Sequence, residues 1–383
     1  MTLNPRQESC LETSRLLVRG VNWLGDAVMT APAIERLRQR FPRAHISILA
    51  DDNVAGIWPG HPGIDDVIAF RRTEGLWSIA ARIKAGKFDT AVILPNSPRS
   101  ALESWLANIP CRVGYSTPWR RCLLTVLVQR APGHVRPRKR GVAEIRRLLR
   151  REEGPKAAVD GFTHQVHDYL RLAAALGADA SPLPPRLTIG ASEVESALAR
   201  LREWVPGGKP ANRAWLGLNV SAAYGPAKCW PLERFAEVVK EVSRRVPDCV
   251  WLNFGTRSDS VTGDSLAAMT ESRVINLAGK TTLRELMALL KCCRLLLGND
   301  SGPMHLAAAL GTPVVALFGS TSLELTGPGL GDTTHQLLRG SAPCSPCFRR
   351  ECPVDFRCMT SISVEQTTLA ILKVLKQAEP SPT

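Results

Sequence analysis

Residues 294–318 read RLLLGNDSGPMHLAAALGTPVVALF, and this stretch decides the fold. An apolar run, Arg294–Gly298, reads as a strand. It breaks at Asn299-Asp300-Ser301-Gly302-Pro303, resumes as an Ala-rich helix over Met304–Leu310, and ends in a second apolar strand, Val314–Phe318. Strands separated by single helices are βαβ units, which imply a parallel sheet. Upstream the same alternation continues, with strands at Ala214–Val220, Cys249–Phe254 and Val274–Leu277 and helices at Leu232–Val246 and Leu283–Lys291. An amphipathic helix over Gln366–Gln377 closes the chain.

The first half repeats the architecture without repeating the sequence. Strands are expected at Arg15–Val21, His45–Ala50, Asp66–Phe70, Asp89–Leu94 and Arg112–Tyr115. Helices are expected at Pro32–Phe41, Trp77–Ala85, Ser97–Asn108 and His164–Leu176, where apolar residues recur at helical spacing. The proline-rich Ala178–Pro185 (ADASPLPP) is the natural linker. The fold class is therefore α/β, with two Rossmann-like doubly wound domains facing a central cleft. An N-terminal domain occupies 1–180, a C-terminal domain 181–360, and the closing helix 361–383. Ligands in such sheets bind beyond the carboxyl ends of the strands.

The 383 residues are enough for two sizeable cores, and the 22% charged content excludes a disordered chain. No apolar run approaches the ~18 residues of a membrane span. The N-terminal MTLNPRQESCLETSR lacks the apolar region of a signal peptide, so the expected location is the cytosol. The formal charge is +14, and it is concentrated: residues 111–151 hold twelve Arg or Lys and one acid, Glu144, a net of +11. A block this dense suits a polyanion or an anionic membrane surface. Its few interleaved aromatics, Tyr115 and Trp119, argue against nucleic-acid bases as the partner.

Three loops carry polar residues suited to chemistry. After the first strand, Asn22-Trp23-Leu24-Gly25-Asp26 enters a helix; Asp26 either caps that helix or acts as a general base within ~3 Å of a hydroxyl. The loop Ser221-Ala222-Ala223-Tyr224-Gly225-Pro226-Ala227-Lys228 is no P-loop, yet it offers backbone N–H groups and an ammonium to a phosphate, or else holds a surface lysine in a turn. In the third loop Asp300 or Ser301 is expected to cap the following helix, and Gly302 leaves room for a ligand at its positive end. His305 lies in that helix's first turn, where a packed histidine is the commoner role. Gly319-Ser320-Thr321 adds a second polar loop at the same sheet edge.

Eleven cysteines in a chain read as cytosolic argue for reduced thiols. Cys344, Cys347, Cys352 and Cys358 are of a type that holds tetrahedral zinc, but their irregular gaps favour free thiols packing a loop over a structural metal. No histidine follows them, which argues against a catalytic thiol.

These stretches together resemble a known family. VRGVNWLGDAVMTAPAI (18–34), YGPAKCWP (224–231), GNDSGPMHLAAALGTPVVALFG (298–319) and the Cys-rich APCSPCFRRECPVDFRCM (342–359) are similar, in order, to the ADP-heptose:lipopolysaccharide heptosyltransferases of glycosyltransferase family 9, nearest their type II branch. Ser320-Thr321-Ser322-Leu323 departs from the proline-containing turn common in that family. The resemblance implies a GT-B arrangement whose final helix crosses back to the N-terminal domain. It implies inverting transfer of L-glycero-D-manno-heptose from ADP-heptose to the heptose of a Kdo-lipid A acceptor, with no cofactor and no catalytic metal. Carried onto this chain, Asp26 is the base and Lys228 stabilises the leaving diphosphate. Gly25, Ser221, Tyr224, Gly225, Asp300, Ser301, Gly302, His305 and Thr321 line the donor site, with Asp259 as the ribose-holding acid. The basic block would face the anionic inner leaflet, as in a peripheral membrane enzyme. The alternatives are a family 9-like transferase acting at another core position, or a GT-B nucleotide-sugar epimerase, which would consume donor without acceptor. A dinucleotide-dependent oxidoreductase is disfavoured because no G-x-G-x-x-G opens a helix.

Overall fold

The computed structural model describes residues 12–131, 134, 137–150, 164–205 and 214–377. The chain divides into two compact units, Met1–His134 with Phe162–Thr188, and Val135–Gly161 with Ile189–Thr383. The division falls at Thr188, and the described residues 137–150 belong with the second unit.

The first unit runs β1 (Arg15–Arg19), α1 (Leu24–Arg40), β2 (His45–Asp51), β3 (Asp66–Phe70), α2 (Leu76–Ala85), β4 (Thr90–Ile93), α3 (Pro98–Leu106), β5 (Cys111–Tyr115) and β6 (Val126–Val128). Helix α4 (Val142–Arg150) lies in the second unit, and α5 (Val166–Ala174) returns to the first and packs on α1. All strands are parallel, in the order β3-β2-β1-β4-β5-β6.

The second unit continues with α6 (Ala191–Trp204), β7 (Ala214–Asn219), α7 (Leu232–Arg245), β8 (Cys249–Asn253), α8 (Ser260–Met269), β9 (Val274–Asn276), α9 (Leu283–Cys292), β10 (Leu295–Asn299), α10 (Gly302–Ala309), β11 (Val314–Phe318), β12 (Gln336–Arg339) and α11 (Val364–Gln377). Its order, β9-β8-β7-β10-β11-β12, reproduces that of the first sheet. The strand order of each sheet reverses between β1 and β4 and between β7 and β10, so the ligand crevice of each unit is expected beyond those strands.

The central strands are buried throughout because helices cover both faces. Helix α7 shows how the pattern becomes packing. Phe235, Val238, Val239 and Val242 share one buried stripe against Leu216, Leu218 and Trp251 of the sheet.

Five elements were not legible. The three-residue β6 and the helix α4 hide in the basic block, and the edge strand β12 is only half-buried. Helix α6 follows a proline-rich stretch, and α8 contains Gly263 and few large apolar side chains. The closing helix α11 packs on α7 and on β10–β12, where Ile371, Val374 and Leu375 join the second unit's core.

The basic block is not one surface. Arg112 donates to the Leu123 carbonyl, Arg120 is fully buried, and Arg130 pairs with Asp168 at 2.9 Å. Arg138 pairs with Glu144 at 2.6 Å. Lys139, Arg146, Arg147 and Arg150 remain exposed in the second unit.

Candidate active site

In the first unit, α1 begins directly after the β1 loop, and Asp26 is its third residue rather than its cap. Trp23 holds the cap position with no side-chain hydrogen bond. A carboxylate in the first turn is stabilised by the helix dipole. Asp26 is half-buried, and its Oδ1 accepts from Gln165 Nε2 at 3.2 Å. The same amide donates to Tyr169 Oη at 2.7 Å. Burial, followed by the Asp26 charge, pushes the Tyr169 phenol well above its ordinary value, so it stays protonated beside the carboxylate. The loop is anchored by Arg19, the last residue of β1. Its guanidinium donates to the Gly20 carbonyl at 2.6 Å and pairs with buried Glu103 at 2.7 Å.

In the second unit, the loops after β7 and β10 meet at the switch point. Lys228 Nζ lies 2.6 Å from Asp300 Oδ2 and 3.2 Å from the Asp300 carbonyl. Thr321 Oγ1, after β11, donates to the same carboxylate oxygen at 2.6 Å. Asp300 is only 4% exposed, so this pair is tightly packed. Ser301 donates to Asn219 Oδ1 at 2.6 Å, and Asn219 Nδ2 to the Phe254 carbonyl at 2.9 Å. Asn299 accepts from the Trp230 N–H and donates to the Val220 carbonyl, locking the β7 loop against β10.

Neither Asp300 nor Ser301 caps α10, contrary to the sequence reading. Their side chains are drawn to Lys228, Thr321 and Asn219, and Ser301 holds the cap position without a side-chain bond. The first N–H groups of α10 therefore have no side-chain cap, which suits an anion at that end. Gly302 is the first helical residue, and His305 lies buried one turn in.

Tyr224 donates through its hydroxyl to the Phe348 carbonyl at 2.7 Å and packs its ring near Lys228 Nζ, 5.0 Å from the centroid. Gly225 has φ +145°, and a Cβ there would meet the Arg350 carbonyl oxygen at 2.6 Å; only glycine fits. Ser221 is half-buried just beyond β7, and Gly25 is the second residue of α1. Asp259 closes the turn after β8, where its Oδ2 accepts from the Thr256 N–H and hydroxyl at 2.7 and 2.6 Å. It also lies close enough to Cys229 for its charge to add to burial in pushing that thiol up.

The Cys-rich segment braces these loops. Ser345 donates to the Gly319 carbonyl, and the Cys347 and Phe348 N–H groups donate to the Ser320 carbonyl at 3.0 and 2.8 Å. Burial pushes Cys344 and Cys347 up and carries Cys358 to about 12, with neighbouring thiols adding to each shift. They are protonated packing groups rather than nucleophiles. Among the described residues, no three or more His, Cys, Asp or Glu converge to hold a metal ion. Nine described cysteines are free, while Cys111 is disulfide-bonded, so the all-reduced expectation fails at one position.

Sequence reading missed Asn219, Asn299 and Gln165. A signal existed for two of them. Strands β7, β8, β9 and β10 all end in asparagine, Asn219, Asn253, Asn276 and Asn299, after runs that are otherwise wholly or largely apolar.

Two sheets of this strand order, the second bearing a cradle lined by lysine, aspartate and hydroxyl groups at its switch point, follow the plan of the GT-B glycosyltransferases. The chain belongs to glycosyltransferase family 9 (heptosyltransferase), whose family model matches residues 76–356. It is 30% identical to the lipopolysaccharide heptosyltransferase 2 of Salmonella typhimurium over 82% of this chain and 85% of that one. It is 29% identical to the lipooligosaccharide heptosyltransferase 2 of Haemophilus ducreyi, over 82% and 86%. The solved structure of Escherichia coli ADP-heptose LPS heptosyltransferase II superposes with a TM-score of 0.73 at 26% identity, covering 96% of this chain and all of that one.

Proposed function

We propose that this enzyme is an inverting heptosyltransferase that moves L-glycero-D-manno-heptose from ADP-heptose to the heptose of a Kdo-lipid A inner core. The observation that carries this reading is the Lys228–Asp300–Thr321 cluster beside the uncapped α10 end, in a chain whose relatives are named heptosyltransferase 2.

The donor lies on the second unit. Its diphosphate meets Lys228 and the free N–H groups of α10, which stabilise the charge that grows as the sugar–oxygen bond breaks. The ammonium and the helix end each contribute electrostatic stabilisation of the kind a divalent cation supplies in other transferases. Ser221, Tyr224, Gly225, Ser301, Gly302, His305 and Thr321 shape the pocket. The second oxygen of Asp259 is left to hydrogen-bond the ribose.

The acceptor lies on the first unit. Asp26 takes the proton of its hydroxyl as that oxygen attacks the anomeric carbon opposite the leaving ADP, which requires contact within about 3 Å. Gln165 donates to Oδ1 of that carboxylate and orients it.

Among the described residues no helix is long and apolar enough to cross a membrane. The enzyme works at the cytoplasmic face of the inner membrane, where exposed Arg146, Arg147 and Arg150 of α4 meet anionic lipid. Purified protein, ADP-heptose and core acceptors with none or one heptose test the reading by product mass. A gain of one heptose on the one-heptose acceptor alone, with inverted anomeric configuration by NMR, is expected. Donor turnover without acceptor, or retention of configuration, overturns it.

A further inference from the structure

The charge balance of the donor cradle is incomplete without a second cation. Lys228 is the obvious cation, yet its ammonium is held 2.6 Å from the Asp300 carboxylate, and both side chains are largely buried. The pair is close to neutral as a unit. The end of α10 contributes about half an elementary charge. A sugar nucleoside diphosphate brings two negative charges, and a third appears when the sugar leaves. Something else must supply a full positive charge.

The Cys-rich segment brings one. Its backbone crosses the β7 loop, where the Arg350 carbonyl accepts from the Ala227 N–H at 2.9 Å, directly over side-chain-free Gly225. Two residues earlier, the Phe348 carbonyl accepts from the Tyr224 hydroxyl. Phe348 itself sits in the left-handed region at φ +53°, a conformation held by hydrogen bonds to loops on both sides. This path sets the Arg350 guanidinium 5.4 Å from the centroid of the Tyr224 ring, the ring that Lys228 Nζ also approaches at 5.0 Å. Arg350 is exposed, and among the described residues no carboxylate pairs with it. Two cations thus share one aromatic ring; Lys228 is neutralised by Asp300, and Arg350 is not.

We infer that Arg350 is a diphosphate-binding residue of the donor site, carried to the Tyr224–Lys228 loop by the Cys-rich segment and supplying the charge that the Lys228–Asp300 pair does not. This rests on the donor reading above. Because the leaving diphosphate is more negative than the donor, the contribution of Arg350 is larger for ADP and for the transition state than for the bound donor.

The test is calorimetric titration of ADP and AMP into the parent protein, Arg350→Met and Arg350→Lys, at low and high salt. Expected is an ADP affinity at least tenfold weaker in Arg350→Met, a smaller change for AMP, partial recovery in Arg350→Lys, and a shallower salt dependence of ADP binding in the methionine variant. ADP binding equal to the parent in Arg350→Met overturns the inference. So does an equal loss in both variants with the parent's salt dependence, since that marks Arg350 as packing against Tyr224. If the parent itself fails to bind ADP, the donor reading is at fault instead. Thermal unfolding of each variant near the parent's midpoint shows that the fold is intact.

Discussion

The two sheets share one topology but finish their strands differently. In the second unit, β7 to β10 all end in asparagine, and these neutral side chains tie loop to strand: Asn219 to Phe254, Asn253 to Asn276, Asn276 to Ser260, and Asn299 to Val220 and Trp230. In the first unit two of the four corresponding positions carry charge, while β3 and β4 end in Phe70 and Ile93. Arg19 ends β1 and is buried against Glu103, and Asp51 ends β2 and pairs with Arg72 at 2.6 Å. Arg72 and Asn53 hold the Asp51 carboxyl below its usual range despite burial. The difference teaches how one scaffold is adapted to two tasks. A neutral asparagine edge fixes the loops rigidly without opposing a ligand's charge, as the proposed diphosphate cradle needs. A pair of mutually satisfied ion pairs positions the other unit's loops, in keeping with the role proposed for Asp26 as the base.

Breaking the charged edge is expected to cost most. Glu103→Ala leaves the Arg19 guanidinium buried without its carboxylate and should lower stability by about 3–5 kcal/mol in urea unfolding. A loss below 1 kcal/mol would show that the ion pair does not organise this edge. In the second unit, Lys228→Met should reduce turnover about 100-fold or more. It also strands Asp300, so the double variant Lys228→Met/Asp300→Asn should recover thermal stability while activity stays low. Recovery of both would make Lys228 a structural residue. Asn299→Ala leaves the Val220 carbonyl and the Trp230 N–H unpaired and should cost about 1–3 kcal/mol, with a weaker ADP affinity because the β7 loop loosens. Gln165→Leu is the mildest change. It keeps the fold and should lower turnover severalfold with ADP affinity unchanged, since it orients Asp26 without touching the donor.

The alternation of apolar runs with helical periodicity was enough to reveal two doubly wound sheets, because central parallel strands must be apolar on both faces. The edges were not legible: β6 and β12 are short or half-exposed and carry no comparable signal. At the site, Lys228, Asp300, Ser301 and Thr321 stood out as polar residues in small loops after strands, and the structure joins them. The capping role expected for Asp300 and Ser301 failed because partners distant in sequence, Lys228 and Asn219, outcompeted the local backbone. Gln165 and Arg350 could not be read at all. Each reaches its loop through tertiary packing, from 139 residues away in the case of Gln165 and Asp26.

The division of labour between the two edges is tested most directly by Asp26→Asn, with heptosyl transfer and ADP binding measured on the same preparation. Transfer should fall by about three orders of magnitude, with the ADP dissociation constant staying within about twofold of the parent's. Transfer near the parent's rate, or a matching collapse of ADP affinity, would contradict it.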